Sequence, residues 1–333
     1  MAEDAILETG CRLFDRVRSA SQLHEIDTRK ACERMVCEEI SRGFTEHEII
    51  EHMIKGGLIH PQVLRQTSDL DIVFGRRLSS AEIHRAFEKM KPGLEAKGII
   101  LESYSKTPDP LWIDGNMGER YHLVIKLGKT RVNTHVDISG GTHLFPRFYN
   151  GPRHGSVFYK GQEPLLGHYQ PIESQAADKL MAITLRHDTT RWKDFWDLAM
   201  LYDMQLDPRL ISAEVTHGLR RKAASDADLL AMLPEVPEAL SYDFAAAQGI
   251  RWQNWATKNK VAGDWEETLV KARHLYAGIR ERVLTAFQTG PRIERAPRRL
   301  SAEMKERIAE RGENVVELAA WRDKSHGYRP RGL

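Results

Sequence analysis

Two aspartates one residue apart, Asp69 and Asp71, sit in the short apolar run Asp69-Leu70-Asp71-Ile72-Val73-Phe74. A glycine pair, Gly56-Gly57, precedes that run with eleven residues between them. The run is strand-like, and alternate residues of a strand share a face, so both carboxylates point the same way. Two carboxylates held side by side repel unless something positive sits between them. A divalent metal is the usual solution, and a metal beside a glycine turn points to phosphate chemistry. Such a pair also needs a rigid sheet around it, so the feature constrains the fold as well as the chemistry.

At 333 residues the chain has room for one large domain or two of ordinary size. With 41% apolar and 29% charged residues, its composition is that of a soluble globular protein. A net charge of +2 does not announce a nucleic-acid binder, so any such surface must be local. Cys11, Cys32 and Cys37 match no zinc spacing and read as reduced thiols of a cytosolic protein. The start Met-Ala-Glu-Asp-Ala-Ile is acidic and lacks the basic-then-apolar layout of a signal peptide. No apolar run approaches the ~20 residues that span a bilayer. A cytoplasmic protein with no membrane partner is expected.

Residues 3–42 carry apolar positions at helical spacing. Thr45 is placed to cap a further helix running to Met53. Gly56-Gly57 breaks the pattern, Asp69 to Phe74 forms a strand, and Ser79 or Ser80 caps a helix through Leu94. Strands are expected over Ile99–Tyr104, Tyr121–Leu127 and Arg131–Ile138, with a hairpin turn at Gly128-Lys129. In the last of these Val132, Thr134 and Val136 share one face, and Asn133, His135 and Asp137 the other. Residues 140–170 read as a long irregular connection with one short strand near Val157. Helices then follow at Glu173–Arg186, Arg191–Tyr202, Pro208–Arg221, Trp265–Gln288 and Ser301–Arg322. The arginine-rich stretch from Arg292 is interleaved with glutamate and reads as a solvated helix with a frayed tail.

Nucleotidyl transfer requires an in-line attack on an α-phosphate, with metal ions holding the attacking and leaving oxygens. Asp69 and Asp71 supply two hard ligands, and Val136-Asp137-Ile138 places a third on a neighbouring strand. Gly56-Gly57 allows backbone amides to approach a triphosphate. Taken singly, a Gly-Gly is usually a loop and an Asp-x-Asp usually a surface strand or turn. The ordered combination carries the information. It resembles the DNA polymerase beta-type nucleotidyltransferase superfamily. That resemblance implies that Asp69, Asp71 and Asp137 bind two magnesium ions, with manganese as the alternative, and that the glycine pair opens a short helix contacting the triphosphate.

A second segment narrows the match. Pro171-Ile172-Glu173-Ser174-Gln175-Ala176-Ala177-Asp178-Lys179-Leu180 is followed by Arg191-Trp192-Lys193-Asp194-Phe195-Trp196-Asp197-Leu198. This resembles the AbiEii/AbiGii family of nucleotidyltransferase toxins, which includes the MenT toxins. Members carry a lysine on one helix and a Lys/Arg-Asp-x-x-Asp-Leu motif on the next. The resemblance covers Lys55 to Tyr202. Here Leu58-Ile59-His60 follows the glycines where members often have Thr-Ala-Leu, and Thr67 stands where an Arg-x-Ser-x-Asp strand has serine. The resemblance implies catalytic roles for Asp69, Asp71, Asp137, Lys179 and Asp194. It implies nucleotide contacts by Gly56, Gly57, Arg65, Thr67, Ser68 and Lys179.

The residues themselves leave alternatives open. Ile172, Ala176, Leu180 and Ile183 form an apolar stripe, and Lys179 lies beside it, where it must snorkel or find an anion. Asp194 and Asp197 share a helix face; a surface acid pair, or a salt bridge from Asp194 to Lys179 or Arg191, is the plainer reading, and Asp197 reads as structural. Arg65 suits phosphate or acceptor, whereas Arg76-Arg77 reads equally as a solvated loop. His135 is placed to reach the site, but a packed or surface histidine is the plainer reading. Trp192, Trp196, Trp252 and Trp255 read as core.

The expected fold is α+β. A nucleotidyltransferase core with a small mixed sheet flanked by helices occupies 1–145, and a connecting loop with a mostly helical domain occupies 146–333. The expected activity is metal-dependent transfer of a nucleoside monophosphate from a nucleoside triphosphate. By resemblance, the role is the toxin of a type IV-like toxin–antitoxin system, with tRNA as acceptor RNA and a cognate antitoxin as partner. The rivals are modification of a small molecule or protein, and a catalytically silent nucleotide-binding protein.

Overall fold

The computed structural model describes residues 2–47, 52–59, 69–108, 111–113, 116–140, 149–155, 158, 164–185, 191–223, 225–261 and 263–289. Its contacts divide the chain into two units, Met1–Ile172 and Glu173–Leu333. Among the described residues no helix is long and apolar enough to cross a membrane.

The N-terminal helical stretch is two helices, α1 (Ala2–Leu23) and α2 (Thr28–Glu46). Between them Glu25 adopts a left-handed conformation, and Asp27 caps α2 by accepting from the Lys30 amide at 3.0 Å. Among the described residues, the helix expected from Thr45 to Met53 is not present. Thr45 lies within α2, its hydroxyl donating to the Ser41 carbonyl, and His52–Lys55 is strand β1. Pairing of β1 with its neighbours overrides the local helical pattern there. Gly56–Ile59 is a 3-10 turn, and β2 (Asp69–Phe74) follows. Ser79 caps α3 (Ser80–Ala96) through a reciprocal capping box with Glu82. The remaining strands are β3 (Ile99–Lys106), β4 (Leu111–Ile113), β5 (Asn116–Leu127), β6 (Thr130–Gly140), β7 (Tyr149–Gly155) and β8 (Pro164–Tyr169). The hairpin turn falls at Gly128-Lys129, as its sequence predicts.

The strands form one mixed sheet in the order β3-β5-β6-β2-β1-β8-β7, with β4 added beside β5. The β2–β6 and β1–β8 pairs are parallel; the others are antiparallel. The stretch read as irregular therefore contains β7 and β8. Pairing of β8 with β1, reinforced by the Gln170 amide on the Ile54 carbonyl, ties it to the first unit. That stretch lies in the first of the two units.

One face of the sheet is apolar. Leu70, Ile72 and Phe74 of β2 and Val132, Val136 and Ile138 of β6 pack with Leu13 and Val17 of α1, Met35, Ile40 and Phe44 of α2, and Phe87 and Met90 of α3. Each such side chain contributes about 1.5–3 kcal/mol on burial. Helix α1 crosses the hairpin closely: a Cβ on Gly10 would sit 2.5 Å from the Gly98 carbonyl and 2.5 Å from the Gly128 amide. Cys32 and Cys37 are buried and unbridged, and burial pushes their thiols up to about 11 and about 12.

The second unit is helical: α4 (Ile172–Thr184), α5 (Trp192–Asp203), α6 (Pro208–Lys222), α7 (Asp226–Ala231), α8 (Tyr242–Asn259) and α9 (Trp265–Thr289). Trp192, Phe195, Trp252 and Trp265 are buried, with Trp252 and Trp265 ring centroids 5.0 Å apart. Of the four tryptophans read as core, Trp192, Trp196 and Trp252 are buried and Trp255 is half-buried. Helices α7 and α8 escape the periodicity reading. In α8 only Trp252 and Ala256 are buried, while Tyr242 and Ile250 are exposed, so its apolar residues trace no clean stripe. The expected helix at Ser301–Arg322 lies outside the described residues.

Candidate active site

The opposite face of β2 carries Asp69 and Asp71, both half-buried, while Leu70 and Ile72 face the core. This is the strand alternation expected from sequence. Parallel pairing sets Asp71 directly opposite Asp137 of β6, and Asp69 opposite His135. Directly paired residues share a face, so all three carboxylates lie together on one side of the sheet.

The same registers extend the row in both directions. Lys55 of β1 pairs with Asp71, and Arg120 of β5 pairs with Asp137. Across four strands the row reads Lys55, Asp71, Asp137, Arg120. One step along, Asp69, His135 and His122 form a second row.

Arg120 grips Asp137 with both ends of its guanidinium: Nε donates to Oδ1 at 2.7 Å and Nη2 to Oδ2 at 2.7 Å. The Asp137 carboxylate raises the Arg120 pKa, with Asp69 and Asp71 adding smaller pulls. His135 Nε2 lies 3.2 Å from Asp69 Oδ1. Burial pushes the imidazole below its ordinary pKa, against the pull of Asp69. His135 is thus beside an acid of the candidate site, where its sequence context favoured a packed or surface histidine.

The glycine turn is fitted to this face from behind. Gly56 has φ +74°, and a Cβ there would sit 1.9 Å from Asp71 Oδ2. The missing side chain therefore makes room for a carboxylate of the row, in addition to any approach by phosphate. From α2, buried Arg34 donates to the carbonyls of Gly57 at 3.3 Å and Leu58 at 3.1 Å, and its Nε donates to Glu38 at 2.8 Å. These bonds turn the two carbonyls toward α2. Arg65, Thr67 and Ser68 lie outside the described residues.

Arg34 and Arg120 are the residues that sequence reasoning missed. Arg120 had a signal: it lies eight residues before Gly128, and Asp137 lies eight after Lys129, so a regular hairpin pairs them. Arg34 had a weaker one, an i,i+4 partner to Glu38 amid the apolar residues Met35, Val36 and Ile40.

For a divalent ion, Asp69 and Asp71 offer the hard oxygen donors that magnesium takes. Asp137 has the right chemistry and place, but both its oxygens are held by Arg120. Among the described residues, no three His, Cys, Asp or Glu side chains are arranged as a ready metal-holding set. The fit is to a site built on Asp69 and Asp71.

In the second unit, Lys179 of α4 is buried beside Ala176, Leu180 and Ile183. Its Nζ donates to Asp194 Oδ1 at 3.0 Å and lies 2.5 Å from Asp197 Oδ2 on α5. Arg191 Nε also reaches Asp194. Burial alone would push the Asp194 carboxyl up, but the charges of Lys179 and Arg191 hold it below its ordinary value. Lys179 has found two anions within its own unit, and Asp197 shares it with Asp194.

A search of curated proteins returns no match to the chain. Among solved structures, the crystal structure of JHP933 from Helicobacter pylori is 13% identical over 79% of this chain and 97% of that one, with a TM-score of 0.48. MenT4, a nucleotidyltransferase toxin from Mycobacterium tuberculosis H37Rv, is 14% identical over 92% of this chain and 99% of that one, with a TM-score of 0.45. A family model described as nucleotidyl transferase AbiEii toxin, type IV TA system, matches residues 56–269. That match opens on the first glycine of the turn and takes in the acidic strands, α4 and α5. Because it spans well over half of the chain, the protein belongs to the AbiEii nucleotidyl transferase toxin family and is a nucleotidyltransferase.

Proposed function

We infer that the protein transfers a nucleoside monophosphate from a nucleoside triphosphate to a hydroxyl at the 3′ end of tRNA. Asp69 and Asp71 hold the metal, and the turn at Gly56-Gly57 receives the triphosphate, with Arg65, Thr67 and Ser68 on the approach to β2. Bound magnesium, or manganese in its place, supplies neutralisation and alignment of the phosphates. The acceptor oxygen forms its bond to the α-phosphorus as the bond to the α–β bridging oxygen breaks, and pyrophosphate leaves with that oxygen. Asp137 receives the proton of the attacking hydroxyl; each of its oxygens keeps a lone pair beyond the one given to Arg120. Lys179 and Asp194 are the second unit's candidate contributors, with Lys179 as a phosphate ligand.

The observation that carries this reading is the register of Asp71 on Asp137, with Asp69 one step along the same face and Gly56 against Asp71. Few structural roles require three acids on one sheet face beside a glycine turn, because their mutual repulsion costs stability. The biological reading is a toxin acting in the cytoplasm and restrained by a cognate antitoxin.

The test is incubation of the full chain with purified tRNA and each labelled triphosphate, in magnesium and in manganese. Label is expected on tRNA with the wild type and is expected to be lost in Asp69→Asn and Asp71→Asn. Label confined to protein or small molecules refutes the acceptor. Incorporation unchanged in both variants refutes the site.

A further inference from the structure

The carboxylate row arrives with its own cation. Arg120 and Asp137 form a two-point contact at 2.7 and 2.7 Å, in direct cross-strand register and on the face that carries Asp69 and Asp71. The Asp137 side chain is 9% exposed and that of Arg120 is 34% exposed. The guanidinium is therefore the more exposed partner and the acid the more buried one. A fork-to-fork pair of this kind uses both oxygens of the carboxylate and is among the stronger hydrogen-bonded contacts available to it.

A divalent ion ligated by Asp137 needs one of those oxygens at about 2.0–2.1 Å. It would then stand within a few ångströms of the guanidinium, cation against cation, in a partly desolvated setting where such repulsion is weakly screened. The two therefore compete at Asp137. We propose that Arg120 competes with the divalent ion for Asp137 and so sets how tightly ions are held there. Arg120 is a positioning residue in this scheme: it keeps Asp137 in register while the row lacks an ion. It then limits ion affinity until it swings away.

The inference rests on Asp69 and Asp71 being the metal site, and the experiment separates the two. Manganese binding to the full chain is titrated by calorimetry, without nucleotide, for the wild type, Arg120→Gln, Arg120→Lys, Asp137→Asn, the Arg120→Gln/Asp137→Asn double variant and Asp69→Asn. Removing the guanidinium is expected to tighten manganese binding about tenfold or more, since it frees a carboxylate and deletes a neighbouring charge. Lysine, which keeps the charge but not the fork, is expected to give a smaller gain. Asp137→Asn is expected to change affinity less than about twofold when Arg120 is present and to abolish the gain when it is absent.

Unchanged or weaker binding in Arg120→Gln overturns the proposal. So does an Asp137→Asn loss as large as that of Asp69→Asn with Arg120 in place. If Arg120→Gln does not fold, unchanged binding in Arg120→Lys overturns it instead. If Asp69→Asn binds manganese as the wild type does, the site reading falls and the competition with it. If Asp69→Asn loses binding while Arg120→Gln is flat, only the competition falls.

Discussion

Gly56→Ala is the sharpest single perturbation of this site. Gly56 has φ +74°, where an alanine costs about 1–2 kcal/mol. Its new Cβ would stand 1.9 Å from Asp71 Oδ2, and real Cβ atoms essentially never come nearer than 3.0 Å, so the carboxylate must retreat by 1.1 Å. Turning Asp71 off its preferred rotamer to do so adds about 0.5–1.5 kcal/mol. The sum, about 1.5–3.5 kcal/mol, lowers the melting temperature by roughly 3–14 °C at about 2–4 °C per kcal/mol for a unit of this size. The larger effect is on chemistry, because a displacement of about 1 Å at a reacting centre costs on the order of a hundredfold in rate. Thermal melting by circular dichroism gives the first quantity. Labelled-nucleotide incorporation, measured well below the variant's melting point, gives the second. Gly278→Ala is the control: nothing lies within 4 Å of its Cβ in α9, so it is expected to stabilise by about 0.5–1 kcal/mol with activity unchanged. A Gly56→Ala protein that melts early yet turns over like the wild type refutes the claim that this glycine seats Asp71.

Arg34→Met leaves Glu38 buried without its cation and should cost about 3–5 kcal/mol, whereas Arg34→Met/Glu38→Met should recover most of that stability. The double variant is nevertheless expected to keep a raised KM for the triphosphate, since the Gly57 and Leu58 carbonyls stay unheld; a KM equal to the wild type's would leave Arg34 with a packing role only. Asp194 has a folded pKa below its unfolded one, so its stabilisation is full above the unfolded value of about 4 and is lost as pH falls through the folded one. Asp194→Asn should therefore lose stability at neutral pH and show a shallower decline on the acid side, and parallel acid-unfolding curves for the two proteins would refute this. Ser79→Ala removes the α3 capping box and should cost about 0.5–2 kcal/mol in chemical denaturation without changing nucleotide incorporation.

Much of the site was legible because its determinants are local. Strand alternation alone puts Asp69 with Asp71 and Asp137 with His135, and the Gly128-Lys129 turn sets the β5–β6 register on which Arg120 meets Asp137. The serine cap of α3 and the tryptophan core of the second unit follow equally short rules. Thr45 misled because a good local cap was outweighed by pairing of His52–Lys55 with β2 and β8. The strands β7 and β8 were invisible because glycine-, proline- and histidine-rich segments become strands only when a neighbouring edge takes their hydrogen bonds.

By itself, then, the amino-acid order determined β2, α3, the β5–β6 hairpin, the shared face of the acids and the class of chemistry, since each depends on neighbours a few residues apart. Only the tertiary structure decided that Asp71 and Asp137 sit in register, that Gly56 vacates space for Asp71, and that Arg34 from α2 holds the turn. It alone decided that Arg120 already occupies Asp137. These are contacts across strands and between helix and loop. Their geometry depends on how the whole sheet closes, which no local propensity encodes.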